Sequence, residues 1–229
     1  MSKKTVVVLS GAGMSAESGL GTFRDSGGLW DRFPLEEVAT PEAWLKDPEK
    51  VTQFYNMRRK QCYEASPNDG HRALAELEKK YNVIIVTQNI DDLHERAGSK
   101  NVIHLHGEIN KVKSSGPKAE KQYFKQQSWK VKMGDKCPDG YQLRPHVVWF
   151  GEAVPMLEKG ALAVEKADVF IVVGTSLNVY PAASLVQYAP PYADCYLVDP
   201  GKVGVSSRFS VVVDKATTGV KKLVDKLLS

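Results

Sequence analysis

Cysteine is scarce in this chain: Cys62, Cys137 and Cys195 are the three among 229 residues. They lie far apart and are odd in number, which excludes a disulfide framework and fits a reducing compartment. Long apolar runs are lacking too, and none approaches the roughly 20 residues that span a membrane. The opening MSKKTVVVLSGAG carries an apolar run too short for a signal-peptide core and leads straight into a glycine motif. It reads as a first strand, and the cytoplasm is the expected location. A strong charge of one sign is also missing, since 31 Lys and Arg face 27 Asp and Glu for a net +4. The excess is local. Between Lys111 and Lys136 eight lysines stand against Glu120 and Asp135, a net of +6, leaving about −2 for the remainder. Without interleaved aromatic stacking sites this patch reads as a solvated loop, and nucleic acid is not indicated. There is no internal repeat and no low-complexity tail.

What the chain does have is a series of short β-branched runs: TVVVLS (5–10), VIIVTQ (83–88), HVVWF (146–150), DVFIVVGT (168–175), CYLVD (195–199) and SVVVD (210–214). They are nearly continuous in apolar residues, the mark of strands buried on both faces of a parallel sheet. Helical patterns lie between several of them: GHRALAELEKKY, PMLEKGALAVEKA, PAASLVQYA and TTGVKKLVDKLL. The alternation predicts an α/β, doubly wound parallel sheet of Rossmann-like type. Residues 31–70, helix-like and rich in aromatics and charge, and residues 107–144, polar and Lys-rich, break the rhythm. The expected organisation is one domain over 1–229. Its large part comprises 1–30, 71–106 and 145–229, and its smaller lobe comes from the two insertions. Ligands of such folds sit beyond the carboxyl ends of the strands.

The first strand ends in GAGMSAESG, where Gly11, Gly13 and Ala16 match G-x-G-x-x-G/A and can bring backbone close to a pyrophosphate at a helix N-terminus. No second strand with an acidic end follows about 20 residues later, as a standard dinucleotide unit would require. The chain runs instead into GLGTFRDSGGLW, with Thr22, Phe23, Arg24 and Trp30, and the acidic strand end comes late, at Asp199. That disfavours ordinary hydride transfer. TQNIDDLH (87–94) puts Gln88, Asn89 and Asp91 at a strand's carboxyl end, where a carboxamide such as nicotinamide finds donors and acceptors. Capping of the next helix explains one of these polar residues better than all three. In HLHGE (104–108), His106 has the best context for a base near neutral pH. His104 and His106 alternate faces on a strand, so a metal at the pair is discounted. Gly174, Thr175 and Ser176 end another buried strand and suit phosphate or ribose contacts.

GAGMSAESG, GTFR, TQNIDDLH, HLHG, VVWFGE and VGTS, in this order across residues 10 to about 200, resemble the sirtuins, NAD-dependent protein-lysine deacylases. Within that family the chain resembles the class III, desuccinylase and demalonylase type of bacterial member, with the zinc site lost. The resemblance implies NAD in the crevice, with Gly11, Ala12, Gly13, Ser15 and Ala16 around the pyrophosphate and Thr22, Phe23, Arg24 and Trp30 in the cofactor loop. Gln88, Asn89, Ile90 and Asp91 would line the nicotinamide and ribose pockets. Gly174, Thr175, Ser176, Asp199 and Ala216 would serve the adenosine end. Asp199 stands where many members have asparagine. Val148, Trp149, Phe150 and Gly151 would pair with the acyl-lysine protein substrate by β-augmentation. The implied catalytic residues are His106, as base on a ribose hydroxyl, and Asn89. The products would be lysine, nicotinamide and O-acyl-ADP-ribose, and a monomer is expected.

Two features refine the resemblance. Members usually hold zinc through paired C-x2-C motifs, but Ser114, Pro117, Cys137 and Gly140 occupy those positions here. One thiolate cannot close a tetrahedral site, so no zinc is expected, and the lobe must rest on packing, with Tyr123, Phe124 and Trp129 as candidates. The second feature is FYNMRR (54–59). Members that prefer succinyl- or malonyl-lysine carry Y-x-x-R in this place, here Tyr55 and Arg58. A phenol and a guanidinium three apart on a helix can reach one carboxylate. Arg59 and Lys60 are expected to point elsewhere, into solvent. The rival readings are an NAD-consuming mono-ADP-ribosyltransferase, a deacetylase without acidic-acyl preference, and a non-catalytic NAD or ADP-ribose module.

Overall fold

The alternation of apolar runs and helical stretches folds as it reads over most of the chain. The structure, a computed structural model, describes residues 3–22, 29–117, 123–126 and 128–229. Strands β1 (Thr5–Ser10), β2 (Asn82–Thr87), β3 (Val102–His104), β7 (Val169–Val173), β8 (Asp194–Val198) and β9 (Phe209–Val212) form one sheet in the order β3-β2-β1-β7-β8-β9. Every pairing in it is parallel. The strand order reverses between β1 and β7, which is where a doubly wound sheet opens a crevice.

Both faces of this sheet are buried, which explains the unbroken apolar runs. Val7, Leu9, Phe170 and Val172 pack on one side with Ala163 and Val164 of α8 (Leu157–Val164) and with Leu185 of a 3₁₀ segment, Ala182–Tyr188. Val6, Val8, Ile85 and Ile171 pack on the other side with Leu74 of α6 (Asp69–Glu76) and with Val220 and Leu223 of α9 (Ala216–Leu228). The short helices α1 (Gly13–Ala16) and α7 (Leu93–Ala97) follow β1 and β2 directly. Among the described residues no helix is long and apolar enough to cross a membrane.

A second, antiparallel sheet has the order β5-β4-β6, with β4 at Gly107–Ser114, β5 at Tyr123–Lys125 and β6 at Leu143–Val147. It corrects one expectation. HVVWF does not join the parallel sheet: its first two residues end β6, which pairs antiparallel with β4, and the following 148–150 are not strand. Beside it lie α2 (Leu29–Arg32), α3 (Leu35–Val38), α4 (Pro41–Lys46) and the long α5 (Pro48–Glu64). Asp47 caps α5 by accepting from the Lys50 amide at 2.9 Å, with Pro48 at its first position. A third core joins α5 to the lobe through Val51, Phe54, Tyr55, Ile109, Val147 and Trp149. Of the aromatics expected to hold the lobe, Tyr123 stacks on His146 of β6 at 4.8 Å, and all three stay partly open, Tyr123 53%, Phe124 36% and Trp129 39% exposed.

Candidate active site

At the carboxyl ends of the parallel strands lies a cleft of about 870 Å³, within the size range of small-molecule sites. The loop after β1 contributes Gly11, Ala12, Gly13 and Ala16. Gln88, Asn89 and Ile90 follow β2, and His106 follows β3. Gly174, Thr175 and Ser176 enter after β7, Asp199 after β8, and Ala216 from the start of α9. The opposite wall carries Thr22, Trp30, Tyr55, Arg58, Val148, Trp149, Phe150 and Gly151. Ser15 and Asp91 sit behind this cleft, on a side pocket of about 20 Å³ that Arg58, Asn89 and Ile90 also line. Phe23 and Arg24 lie outside the described residues. Lining residues that the sequence reading did not select include Phe54, Glu152, Tyr180, Lys202 and Lys215. Glu152 belongs to the VVWFGE motif and was within reach of that reading, whereas the two lysines carry no local signal.

Two of the glycines are required by contact. The Gly13 amide donates to the Gly174 carbonyl at 2.9 Å. A Cβ on Gly13 would stand 2.7 Å from the Gly174 Cα, and one on Gly174, whose φ is +61°, would stand 2.3 Å from the Met14 nitrogen. The β1 and β7 loops therefore touch backbone to backbone across the switch point.

The loop after β2 is held from several directions. Gln88 donates to Thr175 Oγ1 at 3.1 Å, and the Asn89 side chain donates to the Gly11 carbonyl at 3.0 Å and to Ser15 Oγ at 3.1 Å. With both amide hydrogens engaged, Asn89 offers its amide oxygen. Asp91 accepts from Ser15 Oγ at 3.0 Å and from the Leu93 amide at 3.1 Å, so it both closes an Asx turn onto the first amide of α7 and anchors the first loop. Burial pushes its pKa up, against those two hydrogen bonds.

His106 Nδ1 faces the Gln88 carbonyl at 3.0 Å. A carbonyl can only accept, so Nδ1 carries the proton and Nε2 holds the lone pair. Burial lowers the His106 pKa, opposed by that hydrogen bond, so the ring is neutral at pH 7. His104 does not line the cleft. Its Nδ1 meets the Asn89 carbonyl at 3.1 Å and its Nε2 meets Glu95 Oε1 at 2.7 Å.

On the opposite wall Tyr55 and Arg58 are both buried. Tyr55 Oη accepts from Trp149 Nε1 at 3.1 Å, and burial drives its pKa far up, so its proton stays in place as a donor. Arg58 donates to Gln61 Oε1 at 2.9 Å. Burial lowers its pKa from an initial value so high that the guanidinium stays charged. Trp149 lies on the Arg144 guanidinium, 3.3 Å from its ring centroid, and Arg144 pairs with both oxygens of Glu152 at 2.8 and 3.1 Å.

Arg59 overturns its expected place in solvent. It is 1% exposed, donates to the carbonyls of Ile109 at 2.7 Å and Trp129 at 3.0 Å, and reaches Asn56 Oδ1 at 2.9 Å. Asn56 in turn exchanges two hydrogen bonds with the Val131 backbone, at 2.7 and 2.8 Å. One face of α5 thus lines the cleft and another ties down the Lys-rich segment. Lys60 is solvated as expected, beside Glu64.

The four positions of the family's zinc motif hold one thiol, one hydroxyl, a proline and a glycine, and the Cys137 thiol donates to Ser114 Oγ at 3.4 Å. This set does not fit a tetrahedral zinc site. Among the described residues no group of three or more His, Cys, Asp or Glu is placed to hold a metal.

The fold and cleft define a Rossmann-like α/β protein with a ligand site at its switch point, faced by a second lobe. A sequence profile of the Sir2 family matches residues 11–181. The NAD-dependent protein deacylase of Bacteroides thetaiotaomicron is 55% identical over 230 residues, covering 98% of each chain. That of Helicobacter pylori strain 26695 is 48% identical over 229 residues, again covering 98% of each. A solved complex of a Sir2 homologue variant with ADP-ribose superposes with a TM-score of 0.91 at 42% identity, covering 99% of this chain and 94% of that one. A complex of Sir2, p53 peptide and NAD+ superposes at 0.81 with 27% identity, covering 99% and 95%. The chain belongs to the Sir2 family.

Proposed function

We propose that this chain is an NAD-dependent protein-lysine deacylase that favours acyl groups ending in a carboxylate, such as succinyl and malonyl. The observation that carries the reading is the pairing, across one cleft, of a neutral His106 held by the Gln88 carbonyl with a buried Tyr55 and Arg58. Relatives at about half identity are named as NAD-dependent deacylases, and solved family members hold NAD, ADP-ribose or a peptide, which supports the cofactor and substrate class.

When bound, NAD supplies an electrophilic ribose carbon from which nicotinamide departs, and the acyl group ends on ADP-ribose. The glycine loop and the residues after β7 and β8 would hold it, with Gly11 and Gly13 allowing close backbone approach to phosphate. His106 Nε2 takes a proton from a ribose hydroxyl, and its Nδ1–H stays on the Gln88 carbonyl. Asn89 orients the groups at the nicotinamide end with its amide oxygen. Residues 148–151, which are not strand and whose 148, 149 and 150 amides already donate within the protein, would meet the substrate backbone through their remaining main-chain groups. The acyl carboxylate is costly to desolvate alone. Arg58 supplies the opposing charge and Tyr55 the neutral donor, since the Tyr55 oxygen already accepts from Trp149. The lobe needs no zinc in this reading.

The test is steady-state kinetics with NAD on matched acetyl-, malonyl-, succinyl- and glutaryl-lysine peptides, for wild type and Arg58→Met. Selective loss of acidic-acyl turnover in the variant, with deacetylation nearly intact, is expected. Equal losses on all peptides would remove the acyl assignment. A protein that gains ADP-ribose, with no O-acyl-ADP-ribose formed, would make it a mono-ADP-ribosyltransferase instead.

A further inference from the structure

His104 and His106 are two residues apart, and they serve consecutive carbonyls of the loop after β2. His106 Nδ1 meets the Gln88 carbonyl at 3.0 Å, and His104 Nδ1 meets the Asn89 carbonyl at 3.1 Å. The other nitrogens differ in surroundings. That of His106 is left for the cleft, whereas that of the buried His104 meets Glu95 Oε1, on a partly exposed side chain, at 2.7 Å. A carbonyl oxygen accepts only, and an ionised carboxylate accepts only. A neutral imidazole has one N–H and cannot satisfy both. A neutral His104 would turn a lone pair toward one of these oxygens at hydrogen-bond distance, a repulsive contact inside the protein.

We infer that His104 is held as the imidazolium, bridging Glu95 and the Asn89 carbonyl, and that this charge positions the loop carrying Asn89 for catalysis. The adjacent histidines then have opposite charge states for opposite tasks: His106 is neutral to take a proton, and His104 is charged to keep two. The role of Asn89 rests on the deacylase reading, but the charge of His104 does not.

The surroundings agree. Burial alone would lower the His104 pKa, but the hydrogen bond and charge of Glu95, with help from the Asn89 carbonyl and Glu108, hold it above its usual value. Glu95 is kept ionised by the same bond, with Lys111 adding to it against burial. Asp91 also attracts the proton, and His94, itself buried and held neutral, is the remaining titratable neighbour. When pH rises above the raised pKa, one proton leaves. The remaining proton stays on Nε2, where the carboxylate makes the stronger charge-assisted bond. Nδ1 then turns a lone pair on the Asn89 carbonyl, and the loop loses that tether.

Two measurements on the full-length protein test this. Long-range 15N–1H correlation of the histidine rings at pH 7 is expected to show both nitrogens of His104 protonated and one nitrogen of His106 bare. A bare nitrogen on His104 would overturn the inference, whether or not deacylase turnover is seen. The second is the pH profile of kcat. Glu95→Gln removes the charge that holds the second proton, so the alkaline limb should move to lower pH by about one unit or more, with the acid limb of His106 in place. An unmoved alkaline limb would overturn the positioning role. His104→Leu is expected to lower kcat. His104→Asn, which offers an amide hydrogen near the Nδ1 position and cannot titrate, should recover part of that loss and lose the alkaline limb. If the asparagine variant is no better than leucine, the tether to the Asn89 carbonyl is not what His104 supplies.

Discussion

The two walls of the cleft are fixed by different means. The wall on β1, β2, β7 and β8 is fixed by main chain: strand ends in parallel register, with the Gly13 and Gly174 backbones in contact. The wall on α5 and residues 147–151 is fixed by side chains. Asn56 and Arg59 hold α5 to the Lys-rich segment, and Glu152, Arg144 and Trp149 stack up to Tyr55. A wall made of backbone tolerates little change in shape, and a wall made of side chains can change what it recognises without changing the fold. The proposed division of labour follows that difference, with the common cofactor on the first wall and the variable acyl group on the second.

The sharpest way to break the comparison is on the first wall. His106→Ala should reduce kcat by at least the roughly 10²–10⁴-fold of a lost general base, while calorimetry still detects NAD binding. Near-normal turnover would remove His106 from the mechanism. On the second wall, Arg58→Met should cost about 2–5 kcal/mol on acyl groups with a carboxylate, a loss of about 30-fold or more in kcat/KM, and little on acetyl-lysine.

The next effect concerns the other face of α5. Arg59→Met leaves the Ile109 and Trp129 carbonyls without this donor, and Asn56 Oδ1 keeps only the Val131 amide. A loss of about 1–3 kcal/mol is expected, read as a lower Tm together with faster proteolysis within residues 111–136. Unchanged Tm and unchanged cleavage would mean that Arg59 does not hold the lobe.

Acid tests the first wall again. His71 and His94 meet edge to face beneath it with ring centroids 4.8 Å apart, and burial lowers both pKa values, that of His71 to about 4. The unfolded chain binds these protons near pH 6.5 and the folded protein does not. The contribution of His71 is therefore intact above about 6.5 and is lost as pH falls toward its folded value of about 4, and His94 acts in the same direction. Tm should decline over that window, and a His71→Gln variant should show a shallower decline. The smallest effect expected is none: a chelator should leave Tm and deacylation unchanged, and elemental analysis should find no stoichiometric zinc.

The same contrast explains what could be read in the sequence. Strands buried on both faces announce themselves as β1, β2, β7 and β8 do, and the loops after them carry glycine, amide and hydroxyl groups at fixed offsets. The second wall has no such grammar. Arg59 looked solvated because helical spacing tells which residues share a face and says nothing of what covers that face. It is covered by carbonyls some 50 and 70 positions away. HVVWF looked like a parallel strand because an apolar run names no partner, and the partner β4, GEINKVKS, hides its strand character among charges. Asp91 showed both of its possible faces, and its Asx turn onto the first amide of α7 emerged only when Leu93 was placed beside it.

The contact between Gly13 and Gly174 has a mechanical consequence. Because the two loops touch without any side chain between them, there is no rotamer to swing and no gap to widen on that side of the cleft. The β1 and β7 loops behave as a fixed jaw. Any change in the width of the cleft would then come from the other jaw, α5 with the lobe it carries, which holds the residues proposed to read the acyl group.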